Sequence, residues 1–426
     1  MSLVGLPTWL RMRPSQHNRD SLIATLLSLF QFSLFGFSVH TLGSQIVPAL
    51  KPDQQLLVVY GIFAAGGIAR LVGSITLSPL GDRLGSTTLL RRSLKLMAVA
   101  TVCIGVFPGA SQVGAITAGL VLLALRFVQC VALGGEYTAS LSYAVDGAAS
   151  GHRGWSSSLT LAGAQIGFLL GSLSTALVIQ GLGDGATADW GWRIPFLLAG
   201  LLGLLHSQGF GRTDPGQALP QPIKTRPKFQ GLRKEWRRLL AVAAVATFPL
   251  VVFNVFFIYF VNLQTMSRGV LTAQATFLTS LVQVLAVPLL LAGGMLGDRL
   301  GDRRLTVICS LILAAVTLPA SIMASTSPWG MLAAQILVVI PIYVVLSLQG
   351  SVLSSWLPKE DRTTAFALAY SLANLIAALS LIVSSITMQT LGIELGPGLF
   401  CMAWAPACLL ALGWLTLAAS GTSRSA

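Results

Sequence analysis

Long apolar runs without a charge constrain this chain more than any other feature. The longest extends from Leu305 to Pro358 and contains no Asp, Glu, Lys or Arg. As a single helix it would measure about 80 Å, whereas the hydrocarbon core of a bilayer is about 30 Å thick. The dipeptide Ser327-Pro328 supplies a turn near its middle. This stretch therefore predicts two consecutive membrane-spanning helices rather than one.

Similar runs follow one another along the whole chain. Only 10% of the 426 residues are charged and the mean hydropathy is +0.77, whereas soluble domains carry about a quarter charged residues. Helices satisfy their backbone hydrogen bonds internally, so this composition predicts an all-α integral membrane protein. We expect twelve spanning helices, near residues 22–42, 56–79, 93–110, 114–137, 156–181, 191–207, 239–264, 273–297, 305–325, 329–351, 363–388 and 397–418.

The basic residues predict the orientation of these helices. With both termini in the cytoplasm, the inside segments hold 22 of the 27 Lys and Arg residues, and the outside loops hold only Lys51, Arg193 and Arg268. Positive charge is typically retained on the cytoplasmic side. We therefore expect a multi-pass protein of the bacterial inner-membrane type with both termini inside. The net charge of +13 is interpreted as topological, and no nucleic-acid partner is expected.

An internal repeat divides the chain into two halves. The pentapeptide GDRLG at 81–85 recurs at 297–301, each time after the second helix of a half. This repeat predicts six-helix bundles at residues 1–207 and 239–426, joined by a basic, Pro-rich cytoplasmic linker at 208–238. Transporters built from repeated halves place their substrate site near the midplane, between the halves.

Several motifs resemble a known group. The GDRLG loops resemble the signature loop of the major facilitator superfamily. The segments RFVQCVALGGEYTAS (126–140), DWGWRIPF (189–196), NVFF (254–257) and YSLAN (370–374) are similar to the metabolite:proton symporters, which include proline/betaine and dicarboxylate carriers. The resemblance implies the major facilitator fold and secondary active transport of a small organic solute by alternating access.

The first helix departs from the pattern of that family. The family's EWFDFGxYGF-like segment corresponds here to SLFQFSLFGF at 28–37, so Ser28 and Gln31 stand at its two acidic positions. Protons remain a candidate coupling ion. An uncoupled facilitator and a transporter-derived solute sensor that does not transport are the alternatives.

Ionisable side chains inside spans are costly and mark pathways or buried pairs. Three qualify here, namely Arg70, Arg126 and Glu136. Two cations beside few acids favour a substrate with a carboxylate, either an organic acid or a zwitterionic osmolyte, because Arg binds carboxylates bidentately. Snorkelling, or bonding to helix carbonyls, is the alternative for both arginines. Through the resemblance, Gln31 and Asn254 join them as candidate substrate-binding residues.

Other polar residues in the spans are Gln165, Asn262, Gln283 and Asn374. Such residues more often bond neighbouring helices than substrate. On the fifth helix, Gly163, Gly167 and Gly171 predict a close-packing seam.

A second group of residues is predicted to form a cytoplasmic gate. Glu136 lies ten residues after Arg126, about 15 Å further toward the cytoplasm, and is expected to face loop arginines such as Arg83, Arg91 or Arg153. Structural pairing without a gating role is the alternative. The full predicted gate comprises Asp82, Arg83, Glu136, Arg153, Asp298 and Arg299.

Other functional classes lack their motifs. The sequence contains no GxxxxGK[ST] loop, no nucleophile–base arrangement and no CxxC pair among its five cysteines. We therefore expect neither an enzyme nor a cofactor or metal. The expected partners are a small-molecule substrate, candidate protons and the lipid bilayer, with the protein a monomer.

Overall fold

The computed structural model describes residues 15–38, 42–43, 52–148, 151–209, 235–267, 272–357, 362–391 and 396–422. The described residues form twelve long helices, as predicted. These are α1 (Gln16–Phe37), α2 (Pro52–Thr76), α3 (Ser86–Val106), α4 (Ala115–Asp146), α5 (Arg153–Ala186), α6 (Arg193–Gly209), α7 (Trp236–Asn254), α8 (Thr272–Leu300), α9 (Asp302–Thr326), α10 (Pro328–Ser355), α11 (Arg362–Leu391) and α12 (Gly396–Thr422).

Shorter elements lie between or beyond these helices. Short helices at Ser78–Leu84 and Ala110–Val113 follow α2 and α3. A π-helical turn, Thr187–Gly191, joins α5 to α6. A second π-helical turn, Val255–Tyr259, prolongs α7 into the helix Phe260–Ser267. Gln335 supplies a hydrogen bond to this irregular backbone, because its Nε2 donates to the Phe256 carbonyl at 3.0 Å.

Ten of the helices are long and apolar enough to cross a membrane. The two others are α3, which carries Arg91, Arg92 and Lys95, and α6, which has only 17 residues. Both still pack inside the first bundle, where α3 lies against α4 and α6. The expectation of an all-α, multi-pass membrane protein is confirmed.

The helices pack as two groups of six. Helices α1 to α6 contact one another, as do α7 to α12, and the groups meet mainly where α2 packs on α11 and α5 packs on α8. The second helix of each half thus packs on the fifth helix of the other. We call these groups the N-terminal half and the C-terminal half. Their boundaries stay a prediction, since residues 210–234 of the linker lie outside the described residues.

The predicted seam on α5 is confirmed. A Cβ atom at Gly163 would overlap the carbonyl of Leu22, and one at Gly167 would overlap that of Leu26. Only residues without a side chain allow the backbones of α1 and α5 to approach this closely. The seam therefore fixes α1 beside α5 in the N-terminal half, which positions the cavity wall described next.

Candidate substrate cavity and gates

A cavity of about 160 Å³ lies between the two halves. Helices α1, α2, α4 and α5 line it from one side, and α7, α8, α10 and α11 line it from the other. Its polar lining residues are Arg70, Tyr137, Gln165, Asn254, Tyr343, Tyr370 and Asn374. Among the described residues that line it, Arg70 is the only charged one, so the cavity carries a net positive charge.

Arg70 on α2 bridges the halves. Its Nη1 donates to Asn374 Oδ1 on α11 at 3.1 Å. The guanidinium carbon lies 5.2 Å from the ring centroid of Tyr137 and 5.5 Å from that of Tyr370. No carboxylate in the described part of the chain forms an ion pair with it. The remaining guanidinium donors are therefore available to an anion in the cavity.

The partners of Arg70 are themselves fixed in place. The rings of Tyr137 and Tyr370 stack with centroids 5.1 Å apart, and their hydroxyls lie 3.3 Å apart. Asn374 Nδ2 donates to the Tyr370 carbonyl at 2.7 Å, which aims its amide oxygen at Arg70. Neither tyrosine is among the predicted substrate-binding residues, although Tyr137 follows the buried Glu136 in a family-like motif.

Aromatic rings form much of the remaining wall. Phe32, Phe63, Phe168 and Phe253 line the cavity, and Phe168 meets Phe253 across the halves with ring centroids 6.1 Å apart. Aromatic faces attract cations, quaternary ammonium groups included. The cavity therefore combines one cationic corner with faces suited to a positive or apolar group.

Two amide groups join the halves beside this wall. Gln165 on α5 bonds Gln283 on α8, and the Tyr343 hydroxyl lies 2.9 Å from Gln283 Oε1 and 3.2 Å from Gln165 Oε1. Asn254, a predicted substrate ligand, lines the cavity while its Nδ2 donates to the Ala377 carbonyl at 2.8 Å. Tyr343 lies inside an apolar helix, where the sequence offers no signal for it.

Arg126 lies behind the cavity wall rather than in it. It is 1% exposed, and its Nη1 reaches the Phe32 carbonyl at 3.2 Å and Gln129 Oε1 at 2.8 Å. Its guanidinium carbon stands 4.2 Å from the Phe32 ring centroid and 5.3 Å from that of Phe63. These two rings separate Arg126 from the cavity. Its predicted role in substrate binding stays a prediction.

Gln31 belongs to the same buried layer. Its Oε1 accepts a hydrogen bond from the Thr101 hydroxyl at 3.0 Å, and Gln129 Nε2 donates to that hydroxyl at 2.6 Å. Gln31 is thereby linked to Arg126 through Thr101 and Gln129, and it does not line the cavity. Its role as a substrate ligand likewise stays a prediction.

At one end of the halves, Asp298 forms a contact that crosses the interface. Its carboxylate accepts hydrogen bonds from the backbone N–H groups of Gly154 at 2.8 Å and Trp155 at 2.9 Å. These amides belong to the first turn of α5, where unpaired N–H groups and the helix dipole favour a negative charge. Arg153 and Arg299 line an open pocket around this contact.

The first GDRLG copy lies in the short helix Ser78–Leu84, which packs against α11. The side chains of Asp82 and Arg83 lie outside the described residues. A gating role for all of these residues stays a prediction.

At the opposite end, a second contact crosses the interface. Asn262 Nδ2, beyond the π-helical turn of the C-terminal half, donates to the Tyr60 hydroxyl on α2 at 3.0 Å. The cavity is thus bracketed by contacts between the halves on both sides. This arrangement is typical of an occluded state, in which neither side has open access.

Glu136 is buried at 1% exposure, and neither carboxylate oxygen has a hydrogen-bond partner among the described residues. The expected pairing with Arg91 or Arg153 is not formed. Arg91 is exposed, whereas Glu136 is buried in the bundle, where Arg70 acts on it electrostatically.

Known proteins resemble this chain over most of its length. A model of the Major Facilitator Superfamily matches residues 21–273 and 250–426. The proline/betaine transporter of Salmonella typhimurium is 26% identical over 380 residues, which are 84% of this chain and 74% of that protein. The citrate-proton symporter of Klebsiella pneumoniae is 26% identical over 400 residues, or 91% of this chain and 89% of that protein.

Solved structures share the fold. The structure of the proton:xylose symporter XylE superimposes with a TM-score of 0.74 at 18% identity, and 94% of each chain is covered. The predicted fold and the predicted relationship to the metabolite:proton symporters are both confirmed. The chain therefore belongs to the major facilitator superfamily, as a secondary active transporter of small organic solutes and not an enzyme.

Proposed function

We propose that the protein moves a small organic solute with a carboxylate, either an organic acid or a zwitterionic osmolyte, together with protons by alternating access. The observation that carries this proposal is the environment of Arg70. The guanidinium lines a cavity between the halves, holds one amide oxygen at 3.1 Å and has no carboxylate partner among the described residues. A dry, cationic corner of this kind favours an anionic group with two oxygens.

The size and lining of the cavity narrow the class of solute. A volume of about 160 Å³ suits a molecule of a few carbon atoms rather than a polymer. In a zwitterion, the carboxylate would meet Arg70 while the ammonium group faces Phe168 and Phe253. Relatives named as proline/betaine and citrate-proton transporters handle solutes of these two kinds.

Uptake into proteoliposomes tests the proposal. Purified protein would be reconstituted, and radiolabelled proline, glycine betaine, citrate and α-ketoglutarate would be offered with and without an imposed inward proton gradient. We expect saturable uptake of one of these probes, raised above the equilibrium level by the gradient. Citrate and betaine distinguish the organic-acid and zwitterion alternatives.

An uncoupled facilitator is the second candidate. It is favoured by the first helix, where Ser28 and Gln31 replace acidic residues, and both side chains are buried and uncharged. Uptake that stops at equilibrium whatever the gradient would establish the facilitator. Binding of a probe with no flux would instead indicate a sensor and contradict both transport proposals.

A further inference from the structure

We propose that Glu136 is the residue that carries the coupled proton, and that it competes with the substrate carboxylate for Arg70. This inference rests on the proposed proton-coupled transport. The carrier would thereby keep its proton site on α4, although the first helix lacks acidic residues at 28 and 31.

The surroundings of Glu136 fit a group that gains and loses a proton. The side chain is 1% exposed and both of its oxygens lack a hydrogen-bond partner within the described ranges. A carboxylate stripped of water and left without donors is costly, whereas the neutral acid is tolerated. The Ser28 hydroxyl lies near this carboxyl, although the two groups do not meet the geometry of a hydrogen bond. A single neutral hydroxyl does not compensate a permanent negative charge.

Helix packing brings this part of α4 close to Arg70. A Cβ atom at Gly134 would overlap the Arg70 carbonyl, so α4 and α2 touch backbone to backbone. The ring centroid of Tyr137, the residue after Glu136, lies 5.2 Å from the Arg70 guanidinium carbon. Arg70 acts on Glu136 electrostatically, and it simultaneously bonds Asn374 in the other half. One guanidinium of the cavity lining thus lies within electrostatic range of a carboxylic acid of the N-terminal half.

The other ionisable groups around Glu136 are few. Tyr137 is its neighbour on α4, and Tyr370 on α11 reaches the pair through Arg70 and Tyr137. Helix α1 presents Ser28, and α10 contains no charged residue.

The basic residues of neighbouring elements lie further out. On α3, Arg91, Arg92 and Lys95 are exposed, and on α5 Arg153 stands in the first turn. The side chains of Asp82 and Arg83 lie outside the described residues. Arg70 is therefore the cation with which an ionised Glu136 carboxylate would pair.

This arrangement couples the movement of a proton to the movement of the substrate in the same direction. While Glu136 is protonated, Arg70 is available to hold the substrate carboxylate, and the loaded carrier can reorient. After the substrate leaves, Glu136 passes its proton to water on that side, and the new carboxylate pairs with Arg70 and neutralises the empty site. Rebinding then requires a proton from the opposite side, so one proton accompanies each substrate.

The substitution Glu136→Gln mimics the protonated state and tests the inference. With the probe that wild type takes up fastest among proline, glycine betaine, citrate and α-ketoglutarate, we expect gradient-driven accumulation to fall at least tenfold. Exchange of labelled for unlabelled probe across the membrane should remain at half the wild-type rate or more. Asp146→Asn, an exposed carboxylate at the end of the same helix, is the matched control and should accumulate normally.

Other outcomes would overturn the inference. Wild-type accumulation by E136Q would exclude Glu136 as the proton carrier. Loss of both accumulation and exchange in monodisperse E136Q would give the residue a role in binding or movement instead. Glu136→Asp keeps a titratable group and should retain part of the accumulation. If this variant accumulates no probe while E136Q still exchanges it, the acid must occupy a strictly defined position.

A spectroscopic readout separates this inference from the proposed function. Infrared difference spectra at neutral pH should show a protonated carboxylic acid band in the wild type that is missing in E136Q. A missing wild-type band would overturn the assignment even if uptake is proton-driven. Absence of flux with the band present would contradict the proposed function alone.

Discussion

The two halves share a fold but differ in the charged side chains that they bury. In the N-terminal half, Arg70, Arg126 and Glu136 are all buried inside spans. In the described part of the C-terminal half, buried polar side chains are neutral, as where Gln264 donates to the Ala324 carbonyl at 2.9 Å. Because buried charge is costly, a half that retains it does so for function. We infer that the N-terminal half binds charge and the C-terminal half supplies neutral partners such as Asn374.

Arg126 shows how the N-terminal half tolerates a buried cation. No acid neutralises it within the described residues; instead Phe32, Phe35 and Phe63 place their rings within 5.3 Å of its guanidinium carbon. Each such contact contributes roughly 2 kcal/mol when desolvated. The same rings line the cavity in part, so the charge behind them also raises the positive potential of the wall.

The largest expected effect is on substrate binding, and it compares one cavity residue from each half. Arg70→Gln should weaken the binding of a carboxylate probe about a hundredfold, because a charged bond of about 3 kcal/mol is lost. Asn374→Ala on the other side of the same contact should cost only about fivefold, since its bond is between neutral and charged groups and leaves Arg70 in place. Calorimetric titration with citrate and with proline measures both. Equal losses would break the proposed division between the halves.

The next effect concerns the contact of Asp298 with α5. Asp298→Asn removes the charge that the first turn of α5 favours, and should weaken closure at that end by about 1–2 kcal/mol. The open population would rise roughly tenfold. Pulsed electron paramagnetic resonance between spin labels on the adjoining ends of α5 and α8 would measure it. Asp302→Asn, in the same segment but without a described bond to α5, is the control, and a matching shift in it would contradict the capping role.

A smaller effect is expected at the opposite end. Asn262→Leu and Tyr60→Phe each remove the 3.0 Å hydrogen bond between the halves, a neutral contact that contributes about 1 kcal/mol. Each should favour opening at that end several-fold, again measured between spin labels. The double variant should add little to either single one, because both remove the same bond. Fully additive effects would show that the contact does not hold the halves together.

The smallest effect concerns the one ion pair among the described residues. Glu235 and Arg238 lie 3.2 Å apart at the start of α7, with side chains 37% and 34% exposed respectively. Exposed pairs contribute at most about 1 kcal/mol. Glu235→Gln should therefore leave the thermal unfolding midpoint and uptake nearly unchanged. A large loss would show that the C-terminal half also depends on charge.

Much of the fold could be predicted because the bilayer imposes simple rules. Each of the twelve predicted stretches corresponds to a helix, ten of them long and apolar enough to cross a membrane, and the small-residue spacing at Gly163 and Gly167 indicated the α1–α5 seam. Arg70 and Asn254 were predicted as site residues from the cost of buried polarity and from family position, and both line the cavity.

The placement of Gln31 could not be predicted in the same way. Gln31 and Phe32 are neighbours about 100° apart on α1, yet Phe32 lines the cavity while Gln31 turns into the bundle toward Thr101. A helix that is apolar on every side gives no pattern from which to choose the face. The same absence of pattern gave no reason to single out Tyr343.

The sequence by itself determined the class of the protein, its helices, its superfamily and the few residues whose charge the membrane would penalise. These properties depend on composition and spacing along one chain. The tertiary structure alone decided that Arg70 faces the cavity while Arg126 lies behind it, that Asp298 reaches α5, and that Glu136 has no ionic partner but Arg70 nearby. The physical reason is that such contacts depend on the rotation of each helix, which packing between distant segments sets.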